Sequence, residues 1–401
     1  ANNYGTSTQI GTAVSFDGNE WVEKKDAPVL QLGSPGAWDD TEVETPYVIY
    51  VPSNPDSMKY MMWYSGATTE NNLFDTDCFG FPAIYQIGLA FSSDGLNWTK
   101  YNNTTNDSLP LFSESDPVLS IPSYNGCTPD FVNSQPEVTI AVAEPCVLYE
   151  EGIYKMYCIG LGSTDTSWPP IGEVRIRILY TESNDGINWD PLQVILDIGD
   201  STDFDSVLVM SPDVIKIDQS YWMFYPGNTT EEIWAGTEIG LATSTDGINF
   251  IKDPNNPLLK RTPGASNAYA LNGPSAILFN DTLRVYYSAA QDSFPLLLPT
   301  IGYSFLDSPL STLIPESFDN SVSTRIYPNP FSYSTTIEFE NIQNEIHTLI
   351  LFDAMGQLVR ITENISTGLI KFRRMNLASG LYFFQLWTDR QVIATGKLLI
   401  E

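Results

Sequence analysis

Residues 87–98 read IGLAFSSDGLNW, and related stretches recur along the chain: IGTAVSFDGNEW (10–21), ILYTESNDGINW (178–189), IGLATSTDGINF (239–250) and an eroded IGYSFLDS (301–308). The complete copies join an apolar strand pattern to an Asp-Gly step, which favours a tight turn between antiparallel strands. Self-similarity along a chain is the sequence signature of propellers and other repeat architectures. The stretch therefore predicts an all-β fold of repeated units.

Two more repeated elements precede four of these copies. The first is a proline-containing apolar strand: VETPYVIY (43–50), VAEPCVLY (142–149), VMSPDVIK (209–216) and LNGPSAIL (271–278). The second is an aromatic strand: YMMWYSG (60–66), YKMYCIG (154–160), YWMFYPG (221–227) and LRVYYSA (283–289). A short turn between them predicts hairpins.

The copy at 10–21 has no such hairpin ahead of it, which suggests that N-terminal strands complete a blade and close a ring. Four hairpins and five outer elements allow a five-bladed β-propeller with one incomplete blade, or a last blade with an extra strand. We predict five blades over residues 1–305, a Ser- and Pro-rich linker over 306–322, and a small β-sandwich over 323–401.

The charge balance excludes several partners. Asp and Glu number 49 against 19 Lys and Arg, a formal net charge of −30. Such a surface repels nucleic acid and anionic membranes. No stretch approaches the roughly 18 apolar residues of a membrane span. The numbering from Ala1 is interpreted as a mature, exported chain.

The four cysteines show no Cys-x-x-Cys pattern, so disulfides are favoured over zinc. Cys146 and Cys158 flank a turn at 150–152 and are candidates for a cross-strand bridge, with two buried free thiols as the alternative. Cys78 and Cys127 fall in loops predicted on one face of the propeller, where a second bridge would make that face rigid.

The C-terminal segment contains short strands and several recognisable motifs: Tyr327-Pro328-Asn329-Pro330, Asp353 with Gly356-Gln357-Leu358-Val359, Leu377 with Ser379-Gly380-Leu381-Tyr382, and Lys397. With these motifs the segment resembles the type A sorting domain of the type IX secretion system of Bacteroidota. The resemblance implies transport across the outer membrane by that machinery, and a protein that is released or held at the cell surface. A carbohydrate-binding sandwich is the alternative.

The repeats over residues 10–305 resemble the five-bladed glycosidase-like superfamily, which includes glycoside hydrolase families 43, 32, 117 and 130. The residues that carry this resemblance mostly serve packing, so it supports the fold more than an activity. Glycosidases of this fold use paired carboxylates at the inner strands. The resemblance implies Glu44, in a Glu-x-Pro element, and Glu144 as catalytic candidates. Asp40 is a further catalytic candidate, which could supplement the site or bind a cation.

Aromatic residues occur in loops that a propeller would gather on one face, where they could stack on sugar rings or form a subunit contact. The predicted substrate-binding residues are Trp38, Trp168, Trp234, Tyr269 and Asn272. Asp39 and Asp205 recur seven residues before an inner proline and are interpreted as structural turn caps.

The single histidine, His347, lies in the sorting segment, which excludes histidine chemistry in the propeller. No cofactor is required, although acidic residues could bind Ca²⁺. Three functions remain: a secreted enzyme that hydrolyses polysaccharide, a sugar-binding protein without turnover, and a structural or adhesive surface protein that self-associates, as in an extracellular polymer.

Overall fold

A computed structural model gives the architecture of the chain. It describes residues 7–15, 18, 20–24, 27–68, 84–108, 110–120, 141–163, 174–229, 236–262, 264–265, 267–279, 282–290, 300–306, 324–339, 341, 345–353, 358–388 and 392–401. The chain divides into two compact units, Ala1–Asp307 and Ser308–Glu401. The described residues are almost entirely strand and turn, which confirms the all-β fold class.

The described residues of the first unit form four antiparallel sheets, each built outward from a hairpin, and a small N-terminal sheet. The N-terminal sheet pairs β1 (Ala13–Val14) with β2 (Val22–Glu23). The first blade comprises β3 (Glu42–Tyr50), β4 (Tyr60–Thr68), β5 (Ile84–Ser92), β6 (Thr99–Lys100) and β7 (Pro117–Leu119), with 3-10 turns at Asp56–Met58, Thr104–Asn106 and Pro110–Phe112.

The next three blades repeat this arrangement. The second is β8 (Ala141–Glu150), β9 (Ile153–Ser163), β10 (Val174–Ser183) and β11 (Gln193–Leu196). The third is β12 (Leu208–Val209), β13 (Asp213–Ile217), β14 (Ser220–Asn228), β15 (Glu238–Ser244) and β16 (Ile251–Lys252). The fourth is β17 (Ala270–Phe279), β18 (Thr282–Ala290) and β19 (Thr300–Leu306).

The N-terminal repeat links the first and fourth blades. The hydroxyl of Tyr286 in β18 donates to the carbonyl of Gly18 at 2.9 Å, and Trp21 packs edge-on against the Tyr286 ring. On the other side, the amide of Val43 in β3 donates to the carbonyl of Thr8. The repeat therefore occupies the position of a fifth, incomplete blade.

A bulge interrupts the inner strand of every complete blade, directly before its proline. The residue before each proline has a positive φ: Thr45 (45°), Glu144 (56°), Ser211 (42°) and Gly273 (53°). In β3 the pairing passes from Glu44 to Tyr47, and β8 and β17 show the same register shift. In the third blade the bulge separates β12 from β13. Only one of the four is glycine, so strain of about 1–3 kcal/mol is retained at each of the other three.

The aromatic strands tie neighbouring blades together. Trp63 in β4 donates its indole N–H to the carbonyl of Gly186 in the second blade at 3.0 Å. Tyr157 in β9 donates its hydroxyl to the carbonyl of Gly247 in the third blade at 2.9 Å. Phe224 occupies the same position in β14 and has no donor, and the fourth repeat has lost the Asp-Gly step that would supply an acceptor.

Asp39 and Asp205 form equivalent buried networks, as the sequence suggested. Oδ2 of Asp39 accepts from the Tyr64 hydroxyl at 3.0 Å and from Lys100 at 2.6 Å. Oδ2 of Asp205 accepts from the Tyr225 hydroxyl at 3.0 Å and forms an ion pair with Lys252 at 2.7 Å. Both carboxylates are buried, and their partners fix the chain where it enters the inner strand.

The predicted bridge between Cys146 and Cys158 is wrong, because both residues are buried free thiols. The turn at 151–152 pairs Cys146 with Tyr157, so Cys158 lies one position out of register. Successive side chains of a strand point to opposite faces, which puts the two sulfurs on opposite sides of the sheet. Cys146 packs towards the third blade and Cys158 towards the first. Cys78 and Cys127 lie outside the described residues.

The second unit packs two sheets around one apolar core. One sheet orders β20 (Thr324–Tyr327), β21 (Ser334–Phe339) and β24 (Leu369–Arg373). The other orders β23 (Leu358–Ile365), β22 (His347–Asp353), β25 (Gly380–Trp387) and β26 (Val392–Ile400). Inward residues alternate along the strands and form a core that includes Phe331, Leu351, Phe384 and Leu398.

Tyr157→Phe tests the tie between the second and third blades. The change leaves the buried carbonyl of Gly247 without its donor, so the free energy of unfolding should fall by about 1–3 kcal/mol. Chemical denaturation measures the effect. Tyr50→Phe at an exposed position is the control and should stay within about 0.5 kcal/mol of wild type. Equal stability of both variants would show that the Tyr157 bond contributes nothing.

Thiol mapping tests the free cysteines. The unreduced protein, unfolded in denaturant and treated with N-ethylmaleimide, should carry the label on both Cys146 and Cys158, because neither sulfur is bonded to another. Peptide mass spectrometry locates the adducts. An unlabelled peptide pair that becomes reactive only after reduction would contradict the assignment.

Candidate functional site

Acidic side chains gather where the inner strands of the first two blades begin. Glu42 and Glu44 are two positions apart on β3 and therefore project from the same face of the strand. The hydroxyl of Tyr85 in β5 donates a short hydrogen bond to Glu42 Oε2, and the hydroxyl of Thr8 lies 3.5 Å from Glu44 Oε2. Both glutamates are half-buried, so a solute can reach them.

Glu144 belongs to the same group, although it comes from the next blade. Its carboxylate Oε2 accepts hydrogen bonds from the Ser211 amide at 2.6 Å and from the Ser211 hydroxyl at 2.8 Å. Its own amide donates to Ser65 Oγ at 2.8 Å, and Ser65 Oγ lies 2.5 Å from Thr45 Oγ1. These contacts join residues of three blades, and they bring the two predicted glutamates, Glu44 and Glu144, together.

The pKa of Glu44 responds to this environment. Burial, and then the negative charges of Glu42 and Glu144, raise the pKa of Glu44 to about 7, while the Thr8 hydroxyl acts in the opposite direction. Burial also raises the pKa of Glu144, against the two hydrogen bonds from Ser211. A carboxyl group that keeps a proton at neutral pH can act as a general acid.

A further buried acid, Asp213, lies at the residue after the inner proline of the third blade and was missed by the sequence analysis. Its Oδ2 accepts the amide of Ala276 in the fourth blade at 2.6 Å. Burial raises the pKa of Asp213 to about 7. Cys146 has the equivalent position in the second blade, where its sulfur accepts the amide of Val214 at 3.2 Å. The residue after each inner proline can therefore bond to the next blade.

Two predicted site residues have structural positions instead. Trp38 is fully buried, stacks on Tyr64 and donates its indole N–H to Ser115 Oγ at 3.0 Å, so its prediction as a sugar platform is wrong. Asp40 uses both carboxylate oxygens within its own turn, accepting from the Gly36 amide and the Thr41 hydroxyl. This bonding explains Asp40 without a catalytic role.

The remaining predicted substrate contacts are only partly described. Asn272 occupies the position in β17 that Glu44 has in β3, and its side-chain oxygen is buried without a partner among the described residues. Tyr269 is half-buried beside the start of that strand. Trp168 and Trp234 lie outside the described residues.

Some site residues could have been found from the sequence. Glu42 and Glu44 share the two-residue period of a strand face. Alignment of the repeats also shows Asp213 as an acidic residue at the position that directly follows the inner proline. Tyr85 and Ser65 gave no signal, because their roles depend on contacts between strands and blades. In the part of the chain that the structure describes, no three His, Cys, Asp or Glu residues are grouped closely enough to hold a metal ion.

The C-terminal unit matches a known family. Residues 325–401 match the sequence model of the family described as "Secretion system C-terminal sorting domain". The chain therefore carries a type IX sorting domain and is secreted to the cell surface or the extracellular space. Within the described residues, no helix has the length and hydrophobicity to cross a membrane.

The larger unit is similar to solved glycosidase structures. One, described as "Glycoside hydrolase", has 14% identity and a TM-score of 0.52, and the match covers 74% of this chain and 77% of that protein. A thermostable family-43 glycoside hydrolase has 19% identity and a TM-score of 0.48, with 72% and 79% covered. At 14% identity, the likeness to the first of these structures shows the propeller fold alone. No curated protein sequence matches the chain.

Asp213→Asn tests the buried acid between the third and fourth blades. Because burial holds the folded pKa near 7, above the ordinary 3.8, wild type loses stability as pH rises from about 4 to 7 and then levels off. The asparagine oxygen can still accept from Ala276. The variant should therefore gain on the order of 2–4 kcal/mol relative to wild type across that window. Urea denaturation at pH 4, 6 and 8 measures this, and a constant difference would contradict it.

Proposed function

We propose that the propeller unit is a glycoside hydrolase that acts outside the cell on polysaccharide, with Glu44 as general acid and Glu144 as the second carboxylate. The observation that carries the proposal is the convergence of these two glutamates, with the pKa of Glu44 raised to about 7. The export signal and the glycosidase-like fold support the same conclusion.

Glu44 suits the acid role because its neighbours favour the protonated form. The carboxylates of Glu42 and Glu144 repel a further negative charge, and the half-buried position weakens hydration of the ionised form. Glu42 is oriented by the hydroxyl of Tyr85, so it can maintain this repulsion from a fixed position. Glu44 would donate its proton to the oxygen of the leaving sugar as the glycosidic bond breaks.

Glu144 is assigned the ionised role because its oxygen accepts two hydrogen bonds from Ser211, which oppose the rise in its pKa that burial causes. Such bonds stabilise a carboxylate and hold it in one orientation. It would activate water or attack the anomeric carbon directly, and the separation of the two carboxyl groups in the complex with substrate would decide between these routes.

Reducing-sugar release from a panel of plant and algal polysaccharides tests the proposal, with the full-length chain as enzyme. Glu44→Gln and Glu144→Gln should each lower kcat by about 10²–10⁴-fold. Wild-type activity should decline as pH rises through about 7, because Glu44 then loses the proton that it must donate.

Asp218→Asn is the matched control, since Asp218 is an exposed acid in the turn after β13 and should leave kcat unchanged. Turnover that survives both glutamate substitutions would reject this pair. Saturable binding of a glycan with no product from any substrate would instead identify a sugar-binding protein without turnover.

A further inference from the structure

One glycine in the third strand of the repeat is covered by a tyrosine ring in three blades. A methyl group added to Gly88 would lie 2.5 Å from the ring of Tyr64, and one added to Gly240 would lie 3.0 Å from the ring of Tyr225. The same contact in the fourth blade joins Gly302 and Tyr287 at 2.6 Å. In each case the tyrosine comes from the neighbouring aromatic strand, so glycine is needed to admit its ring.

Gly11 has this position in the N-terminal repeat, but no tyrosine covers it. No atom of the described chain lies within 4 Å of a methyl group added there. The N-terminal sheet contains only β1 and β2, which correspond to the third and fourth strands of a blade. Gly11 is therefore a glycine of the kind that a tyrosine ring covers in other blades, but it lies on a strand whose corresponding edge has no partner strand among the described residues.

The neighbouring blades are also exposed on the sides that would contact this hairpin. Val48 of β3 is 45% exposed, whereas Val147 and Val214 at the equivalent positions are at most 1% exposed, because each packs on the preceding blade. On the fourth blade, Ile277 is 48% exposed, whereas the equivalent Leu148 packs on the next blade. Apolar surface of this kind, next to an unpaired strand edge, marks a site for strand addition.

We propose that the fifth blade is completed by a β-hairpin of another polypeptide, whose second strand places a tyrosine ring over Gly11. The hairpin would pair its backbone with the open edge of β1 and pack between Val48 and Ile277. Its required chemistry is that of the aromatic strands of this chain, with alternating apolar residues and a tyrosine two positions before a glycine, as in YWMFYPG (221–227). This inference is independent of catalysis at Glu44.

A synthetic peptide with the sequence of residues 210–228, which form the hairpin of the third blade, serves as the probe. We expect the full-length chain to bind the labelled peptide in fluorescence anisotropy, and its Tm to rise by about 2–4 °C for each kcal/mol of stabilisation. Replacing the tyrosine that corresponds to Tyr225 with alanine in the peptide should weaken binding at least about tenfold, which is 1.4 kcal/mol.

The matching change in the protein is Gly11→Val, whose side chain would occupy the place of the ring. The isolated chain should tolerate this substitution, because no described atom lies within 4 Å, and circular dichroism checks that the fold is retained. Thr12→Val, on the opposite face of the same strand, should bind the peptide like wild type.

Equal peptide binding by wild type and Gly11→Val, or equal binding of a scrambled peptide, would overturn the proposal. Light scattering of the protein alone distinguishes a separate partner from a second copy of this chain. A dimer that Gly11→Val converts to a monomer would show that a second copy fills the position and would overturn assignment to a separate partner. A monomer that binds the peptide through Gly11 supports it.

Discussion

The backbone turn before each inner proline is the constraint on which the propeller depends. Proline fixes its own φ and removes a donor from the ladder, and the residue before it adopts a positive φ that shifts the register. One consequence is that residues on either side of the proline meet the neighbouring blade: Ser211 binds Glu144, and Asp213 binds the amide of Ala276. The same distortion thus builds the joins between blades and positions the acids of the candidate site.

The candidate site is built from positions that also serve as joints. Ser65 accepts the amide of Glu144, and Ser211 donates to its carboxylate, so two structural serines hold one proposed catalytic group. A site assembled across three blades is fixed only when the blades are correctly packed. The geometry of the site therefore depends on the stability of the whole propeller. A substitution that weakens the contact between two distant blades would also displace the carboxylates of the site.

Features that recur along the sequence were predictable, whereas features set by a single contact were not. The repeats indicated the sheets, and the Tyr-Pro-Asn-Pro and Ser-Gly-Leu-Tyr motifs indicated the sorting domain. Trp38 was misplaced because an aromatic residue beside a turn has the same sequence signature whether its ring faces solvent or the core. The cysteine pairing failed for a narrower reason: one residue of turn length decides which face of a strand a side chain occupies.

The candidate site was half predictable for similar reasons. Glu44 and Glu144 could be singled out because they adjoin the repeated prolines, but their convergence depends on the bulge, whose φ values no pattern of residue types displayed. Asp213 was overlooked because an acid within an apolar strand was interpreted as part of the packing repeat. Its burial and its bond to Ala276 arise only once the third and fourth blades are joined.

The replacement of a donor by Phe224 has a mechanical consequence. A hydrogen bond between an indole or hydroxyl group and a carbonyl has a preferred direction, so it resists sliding of one sheet along its neighbour. Contact between apolar surfaces has no such direction. Phe224 can make no such bond, so the third blade lacks at this position the directional tie that Trp63 and Tyr157 provide, and the bond between Asp213 and the amide of Ala276 supplies a directional contact with the fourth blade at another position.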